Sequence, residues 1–174
     1  MLTFAQAIAG SPAPGNVLND LKLLNVDYFG FDEAVHTGQI LVHRSLAKDL
    51  QNIFAALVQL KFPIEKIVPI VAYEWVDIPS MLENNTSAFN YRLIAQSDRL
   101  SNHSLGRAID INPLVNPYIG PTRTSPPGAT YDPTAKGAIV ADGPVVQLFE
   151  TAGWEWGGRW LDRKDYQHFQ KINS

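Results

Sequence analysis

One stretch constrains the fold more than any other. Within LAKDLQNIFAALVQLKF, the side chains of Leu46, Leu50, Ile53, Phe54, Leu57 and Leu60 recur at helical spacing. That period gathers apolar groups on one face of a helix, and such a helix is stable only when the face is buried. Ser45 is placed to cap its N-terminus, and the helix ends before Pro63. Elsewhere the apolar runs are short. GQILVH (Gly38–His43) alternates as a strand does, and EKIVPIVAYEW (Glu65–Trp75) reads as a buried strand. His103–Pro113 alternates enough for a strand centred on Ala108 and Ile109. Residues 1–30 read as a short helix, a break at SPAPG and a turn-rich apolar stretch ending at Tyr28–Phe31. Ser80–Arg92 is polar and loop-like, turning apolar at Phe89. Residues 112–144, rich in Pro, Gly, Asn and Thr, form a long irregular segment, and loops of that length often rim a functional site. Val145–Gly153 reads as a short helix stopped by its glycine, and GWEWGGRW and DYQHF close the chain as turn and strand. With no repeat and no linker, the expectation is one α+β domain over residues 1–174, a central antiparallel sheet flanked by helices.

Composition narrows the function classes. Hydrophobic residues at 45% and charged residues at 18% exclude a disordered or fibrous chain. The net charge of -3 and the lack of a Lys/Arg cluster argue against nucleic acid as a partner, since Arg163 and Lys164 stand isolated. There is no cysteine, so any metal must be held by His, Asp or Glu. No run approaches the roughly 18 apolar residues of a membrane span. The opening MLTFAQAIAGSPAPG lacks a basic n-region and is not read as a signal peptide, although a mature domain would look the same. A monomer is expected.

The residues with chemistry lie in two distant segments, SNHSLGRAID (Ser101–Asp110) and DYQHF (Asp165–Phe169). His103, Asp110 and His168 offer two imidazoles and a carboxylate, a set that can hold catalytic Zn²⁺ and leave its fourth position open. His103 and Asp110 are seven positions apart, which on a continuous strand puts them on opposite faces. They converge only if the chain bends, and Gly106 permits a bend. By spacing alone, a surface or hydrogen-bonded His–Asp pair is the commoner outcome. Asp165 is placed to act as general base, with Asp162 and Glu155 as competitors, and an acid in a run such as LDRKD is ordinarily only solvated. Arg92, with Arg99 and Arg107 as alternatives, is the candidate to stabilise an oxyanion. Trp154, Trp156 and Trp160 belong to the core or to a cleft wall.

The order Ser101, His103, Gly106, Ala108, Asp110, followed by Asp165–Phe169, resembles the signature of zinc D-alanyl-D-alanine peptidases of the VanX/VanY type. GWEWGG, NNTSAFNYR, GQILVHR and FPI extend the resemblance over roughly residues 30–170. It implies a Hedgehog/DD-peptidase-like fold with Zn²⁺ on His103, Asp110 and His168. Asp165 would serve as base and then acid, Arg92 would polarise the scissile carbonyl, and Ser101 would hydrogen-bond beside the ligands. Many members carry Glu where this chain has Asp165, a reach shorter by one methylene. The implied reaction is amide hydrolysis in a peptidoglycan stem peptide, outside the cytoplasmic membrane. D-Ala-D-Ala carboxypeptidase is the first expectation and L-alanyl-D-glutamate endopeptidase the alternative. Hedgehog domains share this kind of site without an established peptidase role, so a non-catalytic zinc-containing binding domain is the third.

Overall fold

A computed structural model describes residues 1–95 and 97–172. Helices α1 (Phe4–Ala7) and α2 (Gly15–Asn19) flank the SPAPG break and lead into β1 (Leu21–Phe29), which pairs antiparallel with β2 (Val35–His43) along its whole length. The stretch expected to be turn-rich is therefore a nine-residue strand. Its Leu24, Val26 and Tyr28 are buried at a period of two, a strand signal partly hidden by the neighbouring Leu21–Leu23 run. A 3-10 turn (Arg44–Leu46) joins β2 to α3 (Ala47–Gln59). Ser45 lies inside that turn and does not cap the helix; instead its N–H donates to Nδ1 of His43, the turn's own N-cap (3.3 Å). Helix α3 buries Leu50, Ile53, Phe54 and Leu57 and packs on β1.

The Glu65–Trp75 segment departs most from expectation. Only β3 (Lys66–Ile67) is strand. Pro69 has no N–H for a ladder, a 3-10 turn follows at Ile70–Tyr73, and Glu74 (φ 53°) and Trp75 (φ 66°) turn left-handed. Helix α4 (Asp77–Leu82) runs into the segment expected as loop from Ser80, β4 (Asn85–Thr86) lies within it, and β3 and β4 run parallel. Then come β5 (Ala108–Asp110), β6 (Tyr118–Ile119), β7 (Thr124–Ser125), α5 (Pro144–Thr151), β8 (Glu155–Trp156), β9 (Lys164–Asp165) and β10 (His168–Gln170). Helix α5 ends ahead of Gly153 (φ 80°), as its sequence predicts.

Among the described residues the architecture is mixed helix and strand, with antiparallel pairing in three of four sheets. The expected central sheet is divided among the β1–β2 hairpin, the sheets β5-β10-β8 and β7-β6-β9, and the parallel pair. Two of these position the site. In the first, β10 lies between β5 and β8, with His168 opposite Asp110 and Phe169 opposite both Ile109 and Trp156. Alternation along β10 sends Phe169 into the core, stacked on Phe149 (3.9 Å between centroids), and puts His168 and Gln170 on the other face. Burying one such ring contributes roughly 1.5–3 kcal/mol, so the core fixes the strand that carries His168. In the second sheet, Tyr118 of β6 sits opposite Asp165 of β9.

The irregular segment 112–144 is held by buried amides and one stacked pair. Asn116 donates to the Gly137 carbonyl (3.0 Å) and accepts from the Ile139 N–H (2.8 Å). Tyr131 stacks on Tyr166 with centroids 3.6 Å apart. The segment thus braces the turn between Asp165 and His168. Among the described residues, no helix is long and apolar enough to cross a membrane.

Candidate metal centre

Ser101 opens the site. Its Oγ accepts the His103 N–H (3.3 Å) and caps the 3-10 turn Asn102–Leu105. The turn ends at Gly106 with φ +64°, where a Cβ would stand 2.6 Å from the His43 nitrogen and 2.9 Å from the Val42 carbonyl carbon. Glycine is required there by conformation and by space together. This turn is the bend that the seven-residue spacing demands. From it the chain enters β5, and Asp110 at the end of that strand comes alongside His103.

Three atoms converge. His103 Nε2 lies 3.2 Å from His168 Nδ1 and 3.3 Å from Asp110 Oδ2, and His168 Nδ1 lies 3.0 Å from Asp110 Oδ1. One ligand atom from each residue lies within 4.8 Å of the others. A tetrahedral zinc with bonds of about 2.0–2.1 Å has edges of about 3.3–3.4 Å, close to these separations. The outer hydrogen bonds give the convergence its chemical meaning. His103 Nδ1 faces the Ala88 carbonyl (2.5 Å), which only accepts, so Nδ1 carries the proton and Nε2 presents a lone pair. His168 Nε2 faces Gln170 Oε1 (3.1 Å), so in the neutral ring Nδ1 presents a lone pair too. Two imidazole lone pairs and a carboxylate aimed at one point repel one another unless a cation lies between them.

The electrostatics express the same demand for positive charge. Burial alone would raise the Asp110 carboxyl, but His103 and His168 outweigh it and hold it well below the usual range. Burial opposes charging of His168, yet Asp110, Asp165 and Gln170 raise it to about 9. Without a metal, a proton on His168 takes the cation's place.

Asp165 is half-buried, and its Oδ1 is fully enclosed without a hydrogen-bond partner. Burial pushes its carboxyl up to about 6; the Asp110 charge adds to this, while His168, His103 and Arg92 oppose it. Gly157 of GWEWGG permits the packing, since a Cβ there would stand 2.7 Å from the Asp165 carbonyl oxygen and 2.8 Å from its Cβ. The competing acids are engaged elsewhere: Asp162 pairs with Arg163 on the surface, and Glu155 accepts from Gln170 (3.0 Å). Arg92 pairs with Asp77 and is the arginine whose charge reaches Asp165. Its carbonyl accepts from the Ser101 N–H (3.0 Å) and Ser104 Oγ (2.6 Å), which ties its segment to the His103 turn. Arg107 donates to the Ile172 carbonyl (3.2 Å), and the exposed Arg99 adjoins Leu100, which bridges to Leu93. Trp154 and Trp156 belong to the core. Trp160 is half-buried, 5.5 Å from the His168 ring between centroids, and carries the Arg163 guanidinium on its face (4.5 Å). It walls the site.

Sequence reasoning missed Asn102, Gln170, Asp77 and the Ala88 carbonyl. Gln170 had a signal: two positions past His168 on a strand, it shares that residue's face. Asp77 and Ala88 reach the site only through tertiary packing, which no local pattern announces.

Comparison with curated proteins found no match, and comparison with solved structures found none either. Residues 95–171 match the family model described as D-alanyl-D-alanine carboxypeptidase. That stretch contains His103, Asp110, Asp165 and His168, while Arg92 lies just ahead of it. The match bears out the resemblance: over these residues the chain is similar to D-alanyl-D-alanine peptidases of the zinc-dependent, VanX/VanY-like kind.

Proposed function

We propose that this chain is a zinc metallopeptidase that hydrolyses an amide bond in peptidoglycan stem peptides, acting as a D-Ala-D-Ala carboxypeptidase outside the cytoplasmic membrane. The observation that carries the reading is the convergence of His103 Nε2, His168 Nδ1 and Asp110 beside the enclosed, unpartnered Oδ1 of Asp165. Zn²⁺ held by His103, Asp110 and His168 would supply Lewis acidity toward the carbonyl and a more acidic water.

The chain's own residues do the rest. Asp165 takes a proton from the attacking water, and the hydroxyl oxygen bonds to the scissile carbonyl carbon. Burial raises its carboxyl to about 6 in the metal-free chain, and that same enclosure favours a carboxyl that can hold a proton between accepting and donating it. Arg92 offsets the negative charge that develops on the carbonyl oxygen. As the C–N bond breaks, Asp165 delivers the proton to the leaving amine. Trp160 and the braced 112–144 segment bound the cleft and orient the peptide. Asp165 has a shorter reach than glutamate, and Gly157 lets the chain pack closely against both Asp165 and His168.

The test is digestion of purified muropeptides, with zinc and with a chelator, followed by mass spectrometry. Zinc-dependent loss of one terminal alanine supports the carboxypeptidase. Release of the stem from its N-terminal alanine would replace it with the L-alanyl-D-glutamate endopeptidase. A zinc-loaded protein inert on every muropeptide would overturn the peptidase reading in favour of a binding domain.

A further inference from the structure

Gln170 stands two residues beyond His168 on β10, so both side chains leave the same face of the strand. Its Oε1 lies 3.1 Å from His168 Nε2 and accepts from Asn102 Nδ2 at 2.7 Å. Its Nε2 donates to Glu155 Oε2 at 3.0 Å. These partners fix which way the amide points. A carboxylate only accepts, so the amide nitrogen must face Glu155 and the oxygen must face His168. That oxygen has no proton to give, so His168 Nε2 must be the donor. A neutral imidazole carries one N–H, which leaves Nδ1 as a lone pair aimed at Asp110 and His103.

We infer that Gln170 is a positioning residue that selects the His168 tautomer and aims Nδ1 at the metal, and that Glu155 and Asn102 lock Gln170 in the required orientation. The inference rests on the metal reading above. It gives Glu155 a role outside the reacting atoms. It also explains why a neutral amide stands at position 170: a carboxylate there would add a further negative charge beside Asp110 and Asp165, whereas the amide supplies the acceptor alone and is polarised from behind by Glu155.

Two readouts that do not depend on turnover test this. Zinc affinity, by chelator competition, should fall about 10–100-fold in Gln170→Leu. Imidazole ¹⁵N spectra of the zinc-loaded wild type should show His168 protonated at Nε2 and metal-bound at Nδ1, with the Nε2–H slow to exchange. In Gln170→Leu that proton should exchange fast. The paired change Gln170→Glu with Glu155→Gln keeps every hydrogen bond, because a carboxylate at 170 accepts from His168, from Asn102 and from an amide at 155; it should restore the protected proton, the readout that follows the hydrogen bonds and not the added charge. If Gln170→Leu fails to fold, Glu155→Gln alone, at an exposed position, should still weaken zinc binding by freeing the amide to turn. Gln170→Leu that folds, binds zinc as tightly as wild type and keeps a protected Nε2–H overturns the inference, as does a paired change that leaves the Nε2 proton fast to exchange. A wild-type chain that binds no zinc removes the metal reading and this inference with it; the other failures remove this inference alone.

Discussion

Asp165→Asn separates catalysis from stability at one atom. The substitution keeps the size of the side chain and removes its ability to ionise. In the folded protein the carboxyl is raised from 3.8 to about 6, chiefly by burial. A raised carboxyl is a group whose neutral form the fold favours. Its stabilising contribution is fully present below 3.8 and is lost as pH rises through about 6. At about 1.4 kcal/mol per tenfold, the gap corresponds to about 3 kcal/mol above pH 6. That is an upper limit, because part of the residue meets solvent and because His168⁺ loses an attractive neighbour when Asp165 is neutralised. Metal-free Asp165→Asn should therefore be more stable than wild type at pH 7.5 by up to about 3 kcal/mol, and the difference should shrink toward zero at pH 3.5. Urea unfolding of both proteins at the two pH values measures it. The same variant, loaded with zinc, should lose about 10²–10⁴-fold in kcat, the usual contribution of a general base. A stability difference that is the same at both pH values would refute the burial argument, and full turnover with zinc bound would refute the base assignment.

In the metal-free chain the Asp165 carboxyl should titrate near 6, followed by its side-chain ¹³C chemical shift; a midpoint near 4 would contradict the enclosure of its Oδ1. The metal-free protein should also lose stability as pH rises from 6.5 through about 9, since His168 is raised and its benefit is present only while it is charged; bound zinc should remove that alkaline loss, as thermal unfolding across the range would show. Arg92→Ala should lower kcat by about 10²–10³-fold with little change in zinc affinity, whereas Arg99→Ala should leave both unchanged. Gly106→Ala places a Cβ 2.6 Å from the His43 nitrogen at a positive φ, so it should destabilise by more than about 1 kcal/mol in urea unfolding and weaken zinc binding through the displaced His103 turn.

The legible parts were those whose signal is local. The Leu46–Leu60 periodicity and the Gly153 stop placed α3 and α5, and the two short motifs marked His103, Asp110, Asp165 and His168 as candidates. Gly106 announced the bend, although not that its space is closed by the β2 backbone. Strands of two or three residues were mostly illegible, because β3, β4, β6 and β7 are too short to carry a period of their own. Glu65–Trp75 misled because a buried apolar run looks the same whether it is a strand or a 3-10 turn beside Pro69. The centre's outer contacts were silent for another reason. Ala88 contributes a carbonyl and Asp77 a carboxylate from elements brought in only by the fold, so neither has a residue type or spacing that marks it.

The measurement closest to the central claim is X-ray absorption at the zinc edge of the loaded protein, together with metal content per chain. One tightly bound ion is expected, with two imidazoles and oxygen ligands at about 2.0–2.2 Å in a four-coordinate shell that is lost in His103→Ala and His168→Ala. An all-oxygen six-coordinate shell, or zinc retained at full occupancy by both variants, would contradict it.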